Sequence, residues 1–135
     1  MENKIDLEAL QKKLQKFVGF KEMRFDDPPH EVAWIEDKDG HMFTDGVPDL
    51  VNDAKVQQDY LYTKIVEKFG EKLEGIGYIY DDQKKQWSCL INLYSSYGIY
   101  SIPELGIYSE NLAVAFALAC EKLIDSLKES NGRKY

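Results

Sequence analysis

Apolar residues recur every three or four positions in two stretches of the first half of the chain. The first stretch runs from about Ile5 to Val18, and its stripe consists of Leu7, Leu10, Leu14 and Phe17. The second follows Pro48, and its stripe consists of Ala54, Leu61, Ile65 and Phe69. This spacing is typical of one face of an amphipathic helix. We therefore predict two helices, the first ended by Gly19 and the second by Gly70, with Asp49 or Asn52 as the N-cap of the second.

Strict alternation of residue types predicts strands in the second half. From Gln86 to Tyr94 one face carries Trp87, Cys89, Ile91 and Leu93, and the other carries Ser88, Leu90, Asn92 and Tyr94. A polar turn at residues 81–85 joins this strand to another at Ile76–Tyr80. Two later runs, Ile99–Ile102 and Leu105–Tyr108, are punctuated by Pro103 and Gly106. Such punctuation favours an edge strand or a bulge.

Shorter signals lie between the two predicted helices. The run Val32–Ile35 reads as a strand, and a second short strand is expected near Met42–Phe43. Between and after them, Asp37–Gly40 and Asp45–Gly46 have the composition of turns. This region is therefore predicted to be a small hairpin that follows a polar segment broken by Pro28 and Pro29.

A long apolar helix is predicted from Ser109 to Leu127, with Ser109 as its cap and Glu110 near its positive end. Its expected core face consists of Leu112, Phe116, Leu123, Ile124 and Leu127. Its first half is apolar almost all round because Val114, Ala115, Leu118 and Ala119 fill the remaining positions. A helix of this kind must be covered on every side. It is either central to the domain or part of a self-association surface.

Together these elements predict one α+β domain over residues 1–135, an antiparallel sheet of about four to five strands packed with three helices. The length of 135 residues suits a single domain. No apolar run approaches a membrane span, and the start Met1–Lys4 leads into no signal-peptide region. We therefore expect a cytoplasmic protein. Its formal charge of −7 disfavours direct binding to nucleic acid.

The order of these motifs resembles that of small phage proteins with the phage ABA sandwich domain. The resemblance rests on Gly19-Phe20, on Trp34 followed by Asp37–Gly40, and on Val47-Pro48-Asp49 leading through Asn52–Ala54 into a helix. Trp87 after a polar turn and the small-residue run 111–120 are similar to that family's ending. Gln57–Tyr60 and the length of the segment Tyr94–Tyr108 depart from its pattern. The resemblance implies a phage or prophage origin and an α/β sandwich, but no settled activity.

Residues with catalytic or metal-binding chemistry are scattered. His30 and His41 lack the companions of a metalloprotease helix, and Asp37–Gly40 lacks the later acid of a calcium loop. The acid pairs Asp26-Asp27 and Asp81-Asp82 suit solvated turns better than a general acid and base. Cys89 and Cys120 have no metal-ligand spacing, so buried free thiols are expected. We predict no catalytic residue, no metal and no cofactor.

Tyrosine is over-represented, with nine in the chain. It offers a rigid ring with a polar hydroxyl, as recognition surfaces require, although strands also favour aromatic residues. An asparagine amide can read the edge of a planar ligand. The predicted ligand- or partner-binding residues are Tyr78, Trp87, Asn92, Tyr94, Tyr97 and Tyr100.

These observations favour a noncatalytic binding protein of a phage or mobile element. It would engage a host protein in the host cytoplasm, or sequester a small host ligand, with nucleotide-like molecules among the candidates, in a counter-defence role. The acidic charge suits a basic protein partner. One alternative is a small hydrolase-like enzyme using Asp81, Asp82 and Glu104. Another is a structural or assembly subunit that forms a homo-oligomer through the helix 109–127.

Overall fold

The computed structural model describes residues 6–24, 32–44, 46–104 and 106–132 of the chain, without the side chains of residues 32, 33 and 129–132. The helices are α1 (Leu7–Phe17), α2 (residues 54–69) and α3 (Leu112–Gly132). The strands are β1 (Lys21–Arg24), β2 (Val32–Glu36), β3 (Leu73–Asp81), β4 (Gln86–Ser95), β5 (Gly98–Ile102) and β6 (Tyr108–Ser109). The α+β class is therefore confirmed.

The main sheet is antiparallel, with β4 at its centre. β3 lies along one side of β4, while β5 and β6 share the other side. Ile102 in β5 is opposite Ile91, and Tyr108 in β6 is opposite Ser88. Residues 103, 104, 106 and 107 therefore lie outside the sheet, between two parts of a single edge. The predicted interruption of this edge is confirmed, although Leu105 itself lies outside the described residues.

Helix α3 crosses the inner face of β4, where Cys89, Ile91 and Leu93 are buried. Helix α1 packs against α3, and α2 contacts it through a hydrogen bond from the Gln57 side chain. All eight residues from Ala113 to Cys120 are consequently buried within one chain. The expectation of a central helix is confirmed. Self-association through residues 109–127 stays a prediction.

Helix α2 is continuous but changes its winding. Its middle, Gln57–Tyr62, is π-helical between the α-helical turns Ala54–Val56 and Thr63–Phe69. It buries Leu61 and Ile65 and carries Tyr60 against Phe20, with ring centroids 5.1 Å apart. Phe20 also meets Phe43 at 4.8 Å, so the β1–β2 region is held to α2 by aromatic contacts.

Several predicted boundaries and burials are wrong. The cap of α2 is Asp53, whose carboxylate accepts from the backbone of Lys55 and Val56; Asp49 caps the preceding turn. Helix α3 begins at Leu112 with Asn111 as its cap, because Ser109 belongs to β6. Two expected core residues, Ala54 and Leu112, are exposed because they lie in the first turns of their helices. Strand β1 was not predicted.

The small hairpin is confirmed around Asp37–Gly40, although Met42 forms only a single bridge with Glu36. The predicted features at Asp26–Pro29, His30 and Asp45 lie outside the described residues. Among the described helices, none combines the length and apolar character needed to cross a membrane.

Candidate functional site

The six predicted binding residues do not form one surface. Side chains alternate between the two faces of a sheet, and directly paired residues share a face. Tyr78 is paired with Cys89, so it lies on the inner face with the helices. Trp87 and Tyr100 lie on the same inner face, whereas Asn92 and Tyr94 lie on the outer face. Tyr97 lies in the turn between β4 and β5.

On the inner face the three aromatic residues are spread across all three neighbouring strands. Trp87 packs against the core and meets Tyr80 with ring centroids 4.7 Å apart. Tyr78 is partly exposed, and burial raises its pKa to about 12, with the neighbouring Cys89 and Cys120 adding to the shift. Tyr100 lies far along the sheet, opposite Leu93. Tyr78, Trp87 and Tyr100 therefore lie in separate places on the inner face and do not form one binding site.

On the outer face Asn92 is engaged within the sheet, since its Oδ1 accepts a 2.6 Å hydrogen bond from the Ser101 hydroxyl. Tyr94 instead pairs with Ile99, and both are at least half exposed. Tyr97, at the tip of this hairpin, is fully exposed. We call Tyr94, Tyr97 and Ile99 the hairpin patch. Its two phenol rings and one aliphatic side chain form an apolar surface that no described residue covers.

A second surface lies between β3 and α2. It is a groove of about 240 Å³ lined by Ala54, Gln57, Gln58, Tyr62, Ile76, Tyr78 and Phe116. We call it the edge groove. Its α2 wall is the π-helical segment, a distortion that often marks functional sites in helices. Gln57 at its base is buried and donates to Leu50, Val51 and Ala113 carbonyls.

A third surface carries positive charge in spite of the acidic whole. A groove of about 610 Å³ is lined by Lys12, Lys13, Gln15, Lys16, Phe20, Glu22, Arg24 and Lys128. We call it the basic groove. Lys13 is held by Asp125 at 2.6 Å, a hydrogen bond that raises the lysine pKa, and Arg24 is bonded to Glu22. Lys12, Lys16 and Lys128 also line the groove, and they form no salt bridge with the described residues.

The acidic candidates for catalysis are engaged in turns. Asp81 accepts from the backbone of Gln83 and Lys84, and Asp82 pairs with Lys85 at 2.9 Å. Glu104 lies elsewhere, in a groove beside Lys122 and Asp125. These three acids therefore belong to two separate regions, and the enzyme alternative gains no support from their placement.

The carboxylate of Asp37 organises the small hairpin. It accepts from the Asp39 and His41 backbone and approaches the His41 ring at 3.2 Å. The His41 backbone bond, aided by that of Asp39, lowers the pKa of Asp37. Asp37, Asp39 and His41 are the one described group whose ligand atoms lie close enough for a metal. Since this carboxylate already serves the turn, a hairpin role explains the group.

Both cysteines are buried free thiols, as expected. Burial raises the pKa of Cys89 to about 12, and burial together with the nearby Cys89 raises that of Cys120 well above its ordinary value. A thiol must ionise to attack or to bind a metal. Neither cysteine is therefore suited to nucleophilic chemistry.

Sequence reasoning missed the edge groove and the basic groove. The residues of the basic groove are separated by more than a hundred positions, and only Lys12, Lys13 and Lys16 gave a local signal, being close on one helix. The edge groove joins the distant Tyr62, Ile76 and Phe116 and depends on the winding of α2. The spacing of apolar residues along α2 does not distinguish a π-helical turn from an α-helical one.

Comparisons of the chain with protein-family models, with curated proteins and with solved structures find no match. The resemblance to the phage ABA sandwich domain stays a prediction. Function is therefore inferred from the three surfaces described above.

Proposed function

We propose that this protein is a noncatalytic binding protein of a phage or mobile element that engages a host protein, in a counter-defence role. The observation that carries the proposal is the hairpin patch, where Tyr97 is fully exposed beside the half-exposed pair Tyr94 and Ile99. Tyrosine side chains, with rigid rings, and an aliphatic side chain at the tip of a β-hairpin supply apolar contact area. The net charge of −7 favours a basic partner.

Native mass spectrometry of the protein purified from its source cells tests this proposal. We expect a stoichiometric protein partner that is lost from the triple variant Tyr94→Ser, Tyr97→Ser, Ile99→Ser, because all three changes remove apolar contact area. The matched control replaces exposed apolar residues elsewhere, Leu7→Ser, Met42→Ser and Leu112→Ser. Retention of the partner by the patch variant would refute the proposal. Substrate turnover abolished by Asp81→Asn would refute its noncatalytic part.

The basic groove favours a second candidate, sequestration of a small anionic host ligand, which would include nucleotide-like molecules. Its volume of about 610 Å³ lies in the range of small-molecule sites. Lys12 and Lys16 on α1 and Lys128 on α3 all line this groove. Ammonium groups bind phosphate as point charges, so binding would weaken with salt.

Calorimetry with adenosine diphosphate as the probe tests this second candidate. We expect the double variant Lys16→Glu, Lys128→Glu to weaken binding by about tenfold or more, since each change replaces an attraction by a repulsion. The control, Lys55→Glu with Lys68→Glu, makes the same charge change on exposed α2 positions. Equal loss in both variants would indicate only a response to net charge, and absence of binding to the natural chain would exclude a diphosphate ligand. The prediction of no direct nucleic-acid binding can be checked in the same way with single-stranded DNA.

A further inference from the structure

The β3 edge of the main sheet is open. β3 pairs with β4 on one side only, and no other described strand lies along its second side. In such a strand every second residue directs its N–H and C=O groups away from the sheet. The strand is nine residues long, and its ladder with β4 is regular from Gly75 to Asp81. It therefore offers a continuous row of backbone donors and acceptors.

The opposite edge of the sheet is interrupted and consists of the five-residue strand β5 and the two-residue strand β6. There Pro103 follows the end of β5, and the chain resumes the edge only at Tyr108 in β6. Proline and irregular breaks are means by which proteins prevent a strand from adding to a sheet. β3 has neither proline nor lysine between Leu73 and Asp81. β3 therefore offers the longer uninterrupted edge for an added strand.

The surroundings of β3 leave space for an added strand. On the outer face, a Cβ added at Gly75 or at Gly77 would meet no atom within 4 Å. On the inner face, the edge groove presents Tyr62, Ile76, Tyr78 and Phe116 to any side chain that points inward from a neighbouring strand. Tyr62 and Tyr78 are each close to half exposed. The apolar lining suits alternate apolar side chains of an extended peptide.

We propose that β3 and the edge groove bind an extended segment of a partner protein as an added fifth strand. Backbone hydrogen bonds to β3 would give affinity, and alternate apolar side chains entering the groove would give specificity. The only charges on β3 are acidic, Glu74 and Asp81, at its two ends. The segment is therefore apolar at alternate positions in its centre and basic at its ends. This site is separate from the hairpin patch, so it does not depend on the function proposed above.

A second copy of this chain is a poorer occupant. An antiparallel pair of two β3 strands would bring the Glu74 end of each copy next to the Asp81 end of the other. Charges of the same sign would then lie close together at both ends of the pair, which disfavours it. A small molecule is also a poor match, since about 240 Å³ is below the usual volume of such sites. A heterologous basic peptide avoids both difficulties.

Selection from a displayed library of random linear peptides, each of roughly 12 residues, tests the proposal on the full chain. We expect enriched peptides with alternating apolar residues and net positive charge. The best peptide is then titrated into the ¹⁵N-labelled chain, where amide shifts should concentrate at residues 75–81 and along the edge groove. Two further versions of this peptide are methylated at alternate backbone nitrogens, one at the odd and one at the even positions; these are its two methylation phases. In one phase methylation removes the donors that pair with β3, so affinity should fall by about tenfold or more.

Two matched variants separate the edge groove from general effects. Gln58→Trp places a bulky ring in the groove from an exposed α2 position and should weaken binding by about tenfold. Lys68→Trp makes a similar change at an exposed α2 position that does not line the groove, and should leave affinity unchanged. The proposal is wrong if no peptide is enriched, if shifts map to β5 or the basic groove, or if both methylation phases bind as the parent does. Each of these outcomes is independent of the test of the proposed function, which is whether the hairpin-patch variant retains its protein partner.

Discussion

Replacing Gln57 with leucine should lower the free energy of unfolding by about 3 kcal/mol, although the two side chains are similar in size. The Gln57 side chain is 3% exposed, and its Nε2 atom lies 2.7 Å from the Ala113 carbonyl, 3.0 Å from that of Leu50 and 3.2 Å from that of Val51. One amide thereby joins the start of α2, the start of α3 and the turn before α2. The Ala113 carbonyl keeps its intrahelical donor in α3, but leucine would leave the Leu50 and Val51 carbonyls without the Gln57 donor, at about 1 to 3 kcal/mol for each carbonyl fully deprived.

Urea denaturation of the variant measures this loss. Gln58→Leu is the matched control, because Gln58 is exposed and adjacent on the same helix; it should change stability by less than about 0.5 kcal/mol. Gln57→Glu gives a further check on the cause. Its second oxygen cannot donate when ionised, so the variant should be less stable than Gln57→Leu at neutral pH and should regain stability in acid. A Gln57→Leu protein as stable as the Gln58→Leu control would show that these bonds contribute nothing net.

Gln57 also illustrates what sequence patterns can convey. The helical stripe after Pro48 predicted α2 and the buried residues Leu61 and Ile65 correctly, because the spacing of apolar residues indicates which face of a helix is buried. The same pattern gave no reason to bury a glutamine. Its burial depends on three carbonyls brought together by tertiary packing, one of them 56 residues away.

The main sheet was predictable for a similar reason. Alternation along Gln86–Tyr94 identified the face that packs on α3, and Pro103 and Gly106 identified the broken edge. Alternation also places Trp87 on the opposite face from Asn92 and Tyr94, since they differ by odd numbers of positions. A single surface of six residues was therefore already in conflict with the strand pattern. The positions of Tyr78 and Tyr100 required the register between strands, which the sequence does not specify.

Charge was the least predictable feature. A net charge of −7 describes the whole chain, whereas the basic groove results from α1, β1 and α3 meeting in space. Caps were misplaced by one to a few residues for a related reason. Asp49, Asn52 and Asp53 are all good capping residues, and only the backbone path decides that Asp53 begins α2.

Raising the pH from 8 towards 12 should remove about 4 kcal/mol or more of stability through the buried thiols. Cys89 ionises near 9.0 in the unfolded chain but only at about 12 in the fold, because burial disfavours its thiolate. The raised pKa values of Cys120 and Tyr78 act in the same direction. Between these limits the folded chain binds more protons than the unfolded chain, so stability is fully present below pH 9 and falls as the pH rises.

Urea midpoints measured at intervals from pH 8 to 12, compared between the natural chain and the double variant Cys89→Ala, Cys120→Ala, test this prediction. The interval from about pH 8.5 to 10 is decisive, because the thiols of the unfolded chain ionise there while those of the folded chain stay protonated. There the natural chain should lose stability while the double variant stays nearly constant, even if its starting stability is lower from the truncated side chains. In the same interval, a thiol reagent should label neither cysteine until denaturant is added. Parallel pH profiles, or rapid labelling of the folded protein, would mean that the thiols reach solvent. Because total stability is only about 5 to 15 kcal/mol for domains in general, a loss of this size brings unfolding within the measured range. The buried thiols of Cys89 in β4 and Cys120 in α3 would then limit the protein's tolerance of alkali.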